Sequence, residues 1–348
     1  MLRSKCLATA IGSLPHTDAK EAIDLVFRHL NRVPFWPQLP RRSYIEGMMP
    51  QYSEGMPGVI IDEENKKIHI NADDSLLKEM EIFYETYMSE ELEPFRITEK
   101  YAAGFYEFIS RVKDLNEKIV AVKGHITGPI TWGLTVTDQD NRASYYNESF
   151  RDCMLKMLER KARWQVRALK GLHQNVIIFI DEPYLQSIGA SFVSLKREEV
   201  IENLNEVISG IKAEGGVAGI HCCGNTDWEL LSETDTDIIS FDAYEYAGSL
   251  ALYPKQIAEF LERGGMLAWG VVPASKDVLK EDENSLTRKL RDGMRLLTKK
   301  GIRENTLLEA CLITPACGAG SLGTEDADAM LRLTSRLSSI LRGEMEKK

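Results

Sequence analysis

The sequence predicts an α/β protein of the (β/α)8 TIM barrel class. Three observations carry that prediction. Short β-branched runs alternate with longer amphipathic stretches along the whole chain, the pattern of parallel strands joined through helices. There are eight such runs. No low-complexity linker, short repeat or shift in composition divides the 348 residues, so one catalytic domain is expected to cover residues 1–348.

The elements follow in order. The first run, Leu7–Ile11, leads through a turn to a helical pattern over Asp18–Leu30. The second, Val33–Leu39, is followed by an arginine pair. Two alternating stretches around a polar turn then span Gly58–Ile70, a small β-hairpin excursion after strand two. Helical patterns over Ser75–Met88 and Thr98–Asn116 precede the third run, Ile119–Ile126. Tyr145–Gly171 has the i, i+3, i+4, i+7 apolar spacing of a helix with one buried stripe and leads to the fourth run, Val176–Ile180. Helix Lys196–Glu214 and strand Val217–Cys222 follow, then helix Asp227–Thr234 and strand Ile238–Tyr244. Helix Pro254–Arg263 precedes strand Met266–Val272, and helix Ser285–Lys300 precedes strand Leu307–Ile313. A last helix covers Thr324–Glu344. The competing architecture, a doubly wound open sheet, normally has a G-x-G-x-x-G turn after its first strand, and Ile11-Gly12-Ser13-Leu14-Pro15-His16 does not fit it.

Composition excludes some functions. The net charge is −10, from 43 basic and 53 acidic residues, which argues against a nucleic-acid partner. No apolar run approaches membrane-spanning length, and the N-terminal stretch lacks the apolar segment of a secretory signal, so no membrane partner and a cytoplasmic location are expected. In a reducing compartment the six cysteines are expected to be free thiols or metal ligands.

In a barrel of this class the active site lies at the C-terminal ends of the strands. The chemically capable residues gather there: Gly12, Ser13 and His16, then Arg41 and Arg42, His125, Asp181, His221 and Cys223, Asp242, and Cys317. In an extended strand residues i and i+2 face one side, so His221 and Cys223 aim together into the mouth and Cys222 away from it. Cys317, at the end of the last strand, can reach across to them, and Asp242 stands ready to complete the set or sit behind it. Imidazole plus thiolate suits zinc, and three protein ligands with a vacant position mark a catalytic rather than a structural site. Each cysteine alone reads more simply as a buried thiol; the three ligands together favour a metal. Zinc lowers the pKa of a bound thiol, and a site rich in thiolate keeps that sulfur nucleophilic, which tilts the chemistry from hydrolysis towards thiol alkylation. Asp181 is a candidate for a catalytic role at its apolar strand's end. His16 and His125 are lone histidines with a structural default reading, and each is also a candidate proton relay.

These segments resemble a known family, the catalytic barrel of cobalamin-independent methionine synthase, in its short single-barrel form. The wider superfamily includes uroporphyrinogen decarboxylase and the methylcobamide:coenzyme M methyltransferases. The resemblance rests on Ile11-Gly12-Ser13-Leu14-Pro15, Thr127-Gly128-Pro129-Ile130-Thr131, Asp181-Glu182-Pro183, His221-Cys222-Cys223, Asp237 to Asp242, and Pro315-Ala316-Cys317-Gly318, in the family's order. It implies zinc held by His221, Cys223 and Cys317, with Asp242 in place of the family's glutamate, and homocysteine as the thiol. It implies that Ile11, Gly12 and Ser13 hold the acceptor's carboxylate and Asp181 its ammonium group. The stretch 34–58 is similar to the arginine-rich loop of the decarboxylase branch, which implies that Arg41 and Arg42 meet substrate or corrinoid carboxylates. Two departures bear on the donor. The chain has one barrel where the long synthases have two, and Trp269-Gly270-Val271-Val272-Pro273 lacks the family's histidine. Both favour a methylcorrinoid such as methylcobalamin, free or bound to a corrinoid protein, over a folate. The expected reaction is therefore zinc-dependent methyl transfer to homocysteine, giving methionine. The alternatives are a coenzyme M-type methyltransferase, a decarboxylase-like enzyme, and a non-enzymatic corrinoid- or zinc-binding module.

Overall fold

The computed structural model describes residues 4–113, 119–188 and 195–347. Among the described residues there are ten strands: β1 (Leu7–Ala8), β2 (Val59–Asp62), β3 (Lys67–Ile70), β4 (Val122–Thr127), β5 (Thr137–Asp138), β6 (Val176–Asp181), β7 (Val217–Cys222), β8 (Ile238–Phe241), β9 (Met266–Val272) and β10 (Cys311–Pro315). Seven of them form one parallel, curled sheet in the order β1-β10-β9-β8-β7-β6-β4. The strands are buried on both faces, which is why they read as nearly unbroken apolar runs.

The two ends of this sheet are bridged by the segment 33–39. On one side Leu14 N donates to Gln38 O at 2.9 Å and Gln38 N to Gly12 O at 3.1 Å. On the other, Trp36 N donates to Lys123 O at 3.2 Å and Lys123 N to Pro34 O at 2.9 Å. This arrangement is compatible with a TIM-like barrel. The second expected strand thus exists as isolated bridges, Ser13 to Gln38 and Phe35 to Lys123, rather than as a ladder. Pro34, Pro37 and Pro40 explain this, because proline has no N–H to give.

The helices are α1 (Ala19–His29), α2 (Asp74–Met88), α3 (Ala103–Val112), α4 (Pro129–Thr135), α5 (Glu148–Lys170), α6 (Arg197–Ala213), α7 (Trp228–Glu233), α8 (Ala243–Leu250), α9 (Pro254–Glu262), α10 (Glu283–Thr298), α11 (Glu304–Glu309) and α12 (Thr324–Met345). Asp18, Asn147 and Asp227 cap α1, α5 and α7, each side chain accepting from a first-turn backbone N–H. Among the described residues no helix is long and apolar enough to cross a membrane.

Several expected boundaries are corrected. The last strand is Cys311–Pro315, not Leu307–Ile313, because Leu307 and Leu308 belong to the short helix α11. The sixth strand stops at Phe241, where Asp242 caps α8. α3 starts at Ala103 instead of Thr98, and positions 114–116 of that expected helix lie outside the described residues. α4 and α8 were not expected. Around the Gly58–Ile70 stretch, β2 and β3 pair antiparallel, and β3 also pairs in parallel with β5, giving a three-stranded sheet.

Two cores result. The large one lies between the sheet and its helices, where Ile126, Ile178, Ile220 and Phe241 meet α5, α6 and their neighbours. The small one fills the inside of the curl with Leu7, Ile11, Val33, Ala121, Ile177, Phe179, Ile238, Met266, Ala268 and Leu312. Towards the C-terminal ends the inward alternation turns polar, through Thr9, Lys123, Ser240 and Thr314, all fully buried. Asp181, His221 and Cys223 come next on that face.

Candidate metal centre

Strand β7 places His221 and Cys223 on the inner face and Cys222 in the outer core, as alternation requires. Cys317 follows β10, which is separated from β7 by two strands, β9 and β8, in the sheet order. One potential ligand atom from each of His221, Cys223 and Cys317 lies within 4.8 Å of the other two. Among the described residues these three form a cluster with metal-ligand chemistry.

His221 is held by its neighbour in register. Ser240 on β8 pairs with it, and Ser240 Oγ lies 3.0 Å from His221 Nδ1. Its Nε2 is buried without a hydrogen-bond partner. A buried, unpartnered imidazole nitrogen close to two sulfurs fits a metal, because such an atom is otherwise costly to bury. A hydrogen bond at the far nitrogen is the usual companion of a ligating histidine. One nitrogen with two soft sulfurs suits zinc. Between the cysteines, the Cys317 thiol donates towards Cys223, so Cys223 ionises more readily and Cys317 less; His221 adds to the first effect.

The loop carrying Cys317 is fastened to the turn after β1. Ala319 N donates to Ser13 O at 2.9 Å and Gly320 N to Ser13 Oγ at 3.2 Å. A Cβ at Gly318 would lie 2.2 Å from Ser13 Oγ, so this approach requires glycine. Ser13 therefore braces the Cys317 loop, a role that its expected contact with a carboxylate did not include. At Gly12 a Cβ would lie 2.9 Å from His125 Nδ1. Ile11 turns its side chain into the inner core and offers its carbonyl to Lys123 Nζ.

Asp181 ends β6 and pairs in register with His221. Its Oδ1 is buried without a partner, and burial raises its pKa against the opposing pull of His221 and Lys123. Asp242 stands outside the three-ligand cluster. Its Oδ1 accepts from Glu245 N at 3.0 Å, as the cap of α8. Burial, together with the charges of Glu245 and Cys223, pushes its pKa up to about 6. Asp242 is thus a half-buried carboxyl within electrostatic reach of Cys223.

The remaining candidates are dispersed. His125 stacks on Trp36 at 3.9 Å, and neither ring nitrogen has a partner. Burial, then the charge of Lys123, holds it well below the usual histidine range. His16 is buried, with Nδ1 unpartnered, and burial lowers its pKa against Glu21 and Asp18 of the α1 start. Arg41 is exposed and donates to Ser321 O at 2.8 Å, while Arg42 pairs with the buried Glu46. Both arginines are thus engaged by protein groups.

Sequence reasoning missed Ser240 and Lys123. Lys123 had a signal: a lysine inside the apolar run of the third strand needs an explanation. Ser240 had none, since only the register of β7 with β8 reveals it.

Fold and site together define an α/β protein with a curled parallel sheet and a His-Cys-Cys cluster at the strands' C-terminal ends. No family model and no curated protein matches the sequence. Solved structures do resemble the fold. A methyltransferase from Methanosarcina mazei aligns over 98% of this chain and 94% of its own, at 12% identity and a TM-score of 0.57. A candidate vitamin-B12-independent methionine synthase from Listeria monocytogenes aligns over 93% and 86%, at 14% identity and a TM-score of 0.56. A B12-independent methionine synthase from Shewanella aligns over 69% and 68%, at 18% identity and a TM-score of 0.47. At such identities the first two likenesses concern the fold.

Proposed function

We propose that the chain is a zinc-dependent methyltransferase that methylates a small thiol, homocysteine being the simplest candidate, with a methylcorrinoid as the second substrate. The observation that carries this reading is the cluster of His221, Cys223 and Cys317 at the C-terminal ends of the strands. The methyltransferase fold of the Methanosarcina neighbour adds support at the level of architecture.

Zinc bound there would supply a Lewis acid that keeps an acceptor thiol ionised at neutral pH. The chain's own residues do the rest. Ser240 holds the His221 ring through Nδ1 and leaves its Nε2 free to serve as a ligand. Ser13 holds the loop that presents Cys317. Asp181 would receive a cationic group such as the acceptor's ammonium, a role supported by its buried oxygen without a partner.

The test is metal content by elemental analysis of reduced protein, wild type against Cys317→Ala. About one zinc per chain, lost or weakened in the variant, is the expected outcome. A wild type that takes up no metal when zinc is supplied removes the basis of the proposal and turns attention to metal-free decarboxylase chemistry. With metal present, formation of methionine from methylcobalamin and homocysteine tests the substrates.

A further inference from the structure

Lys123 lies in the middle of the structure with no role in the reading above. It is fully buried on β4, on the face that turns into the curl. Other buried cations, Arg160 and Lys161, belong to α5 on the outer side of the sheet. A lysine inside a barrel is costly unless its charge is met. The groups that meet it are informative. Nζ donates to the carbonyl of Ile11 and lies 4.2 Å from the ring centroid of Phe179, in the inner core. Burial pulls the Lys123 pKa down to about 7, against the charge of Asp181, which favours the protonated amine; burial and then Lys123 lower that of His125. Register gives the vertical order. Lys123 pairs with Ile177, and Thr127 pairs with Asp181, so the side chain starts below Asp181 and rises towards it.

We propose that Lys123 is a positioning residue for the amino-acid head group of the acceptor: from inside the barrel it pins the Ile11 carbonyl and sets a cation opposite Asp181. The inference rests on the thiol acceptor proposed above and narrows it to thiols that carry an ammonium and a carboxylate. Such an acceptor brings fresh negative charge into a chamber that already contains Asp181 and two cysteine sulfurs. A cation below that layer offsets part of this charge without occupying the substrate's space. Pinning one carbonyl of the Ile11–Ser13 turn also steadies the backbone that Ser13 shares with the Cys317 loop.

The experiment compares binding of L-homocysteine and of 1-butanethiol, which lacks both head-group charges, to zinc-loaded protein by calorimetry. Lys123→Met keeps the length and removes the charge. The variant is expected to bind L-homocysteine roughly ten- to a hundredfold more weakly, with 1-butanethiol affinity and metal content unchanged. In an Asp181→Asn background, Lys123→Met is expected to add less than it does alone, because the two act as one unit. An equal loss for both thiols, no loss for either, or full additivity with Asp181→Asn overturns the inference. Should Lys123→Met not fold, Lys123→Gln, which retains a donor, is held to the same outcomes. A metal-loaded wild type that binds neither thiol overturns the proposed function itself, and this inference with it.

Discussion

At the scale of the residue, the site depends on small groups that orient larger ones. Ser240 is the plainest case. Its hydroxyl meets His221 Nδ1, so which imidazole nitrogen is left free follows from a serine on the next strand. Ser240→Ala is expected to weaken zinc affinity about 10- to 100-fold with little change in thermal stability, read by competition with a chromophoric chelator. Unchanged affinity would mean that the ring is oriented by something else. The pairing of His221 with Cys223 was legible in the sequence because alternation in one strand puts the two on one face, whatever the rest of the fold does. Asp242 shows the limit of that reasoning. Alternation also turns it inwards, but the strand ends one residue earlier, and the carboxylate is drawn to the amide of Glu245 at the start of α8. A cap and a metal ligand are the same residue type at the same place in sequence, and only the following turn separates them.

At the scale of the element, α4 illustrates how a buried carboxyl organises a strand end. Glu182, just past β6, accepts from the N–H groups of Ile130 and Thr131, both at 2.8 Å, and from the Thr131 hydroxyl at 2.6 Å. A Cβ at Gly128 would lie 2.1 Å from this carboxyl, so the Gly128-Pro129 start of the helix is shaped around it. Burial pushes the Glu182 pKa up, these hydrogen bonds pull it back, and the balance is about 7. The folded state therefore holds the proton more tightly than the unfolded chain, whose value is near 4.5. The resulting stabilisation is full below about pH 4.5 and is lost as the pH rises towards 7. The wild-type minus Glu182→Gln difference in unfolding free energy should accordingly fall across that window in urea titrations. A flat difference would show that folding does not raise the Glu182 pKa. In the sequence Asp181-Glu182-Pro183 looks like ordinary strand-end punctuation. The distinction between the inward Asp181 and the anchoring Glu182 follows from the period of two, but α4 did not, because Pro129 to Thr135 is too short for a helical period to emerge.

At the scale of the whole molecule, the parallel strands of the sheet were legible because each is spelled out by its own apolar run. The segment 33–39 was legible as a strand by composition but not by pairing, for its prolines leave few donors. What holds it is packing. Trp36 lies edge-on to Phe105 of α3 and donates to Gln165 of α5 at 3.1 Å. Gly104 brings α3 so close that a Cβ there would lie 2.1 Å from the Pro37 carbonyl oxygen. Gly104→Ala should therefore destabilise the fold by about 1–3 kcal/mol, against the gain that glycine-to-alanine usually brings to a helix. A rise in melting temperature would show that α3 does not bear on the seam.

The three prolines have a consequence for encounters between chains. A closed ring of strands exposes no edge to which a foreign strand can add. Here the two ends of the curled sheet are joined only through isolated bridges to the segment 33–39, and were these to part that segment would be one exposed lip. Pro34, Pro37 and Pro40 interrupt the row of N–H groups there, so the lip most easily freed is also a poor template for strand-by-strand aggregation.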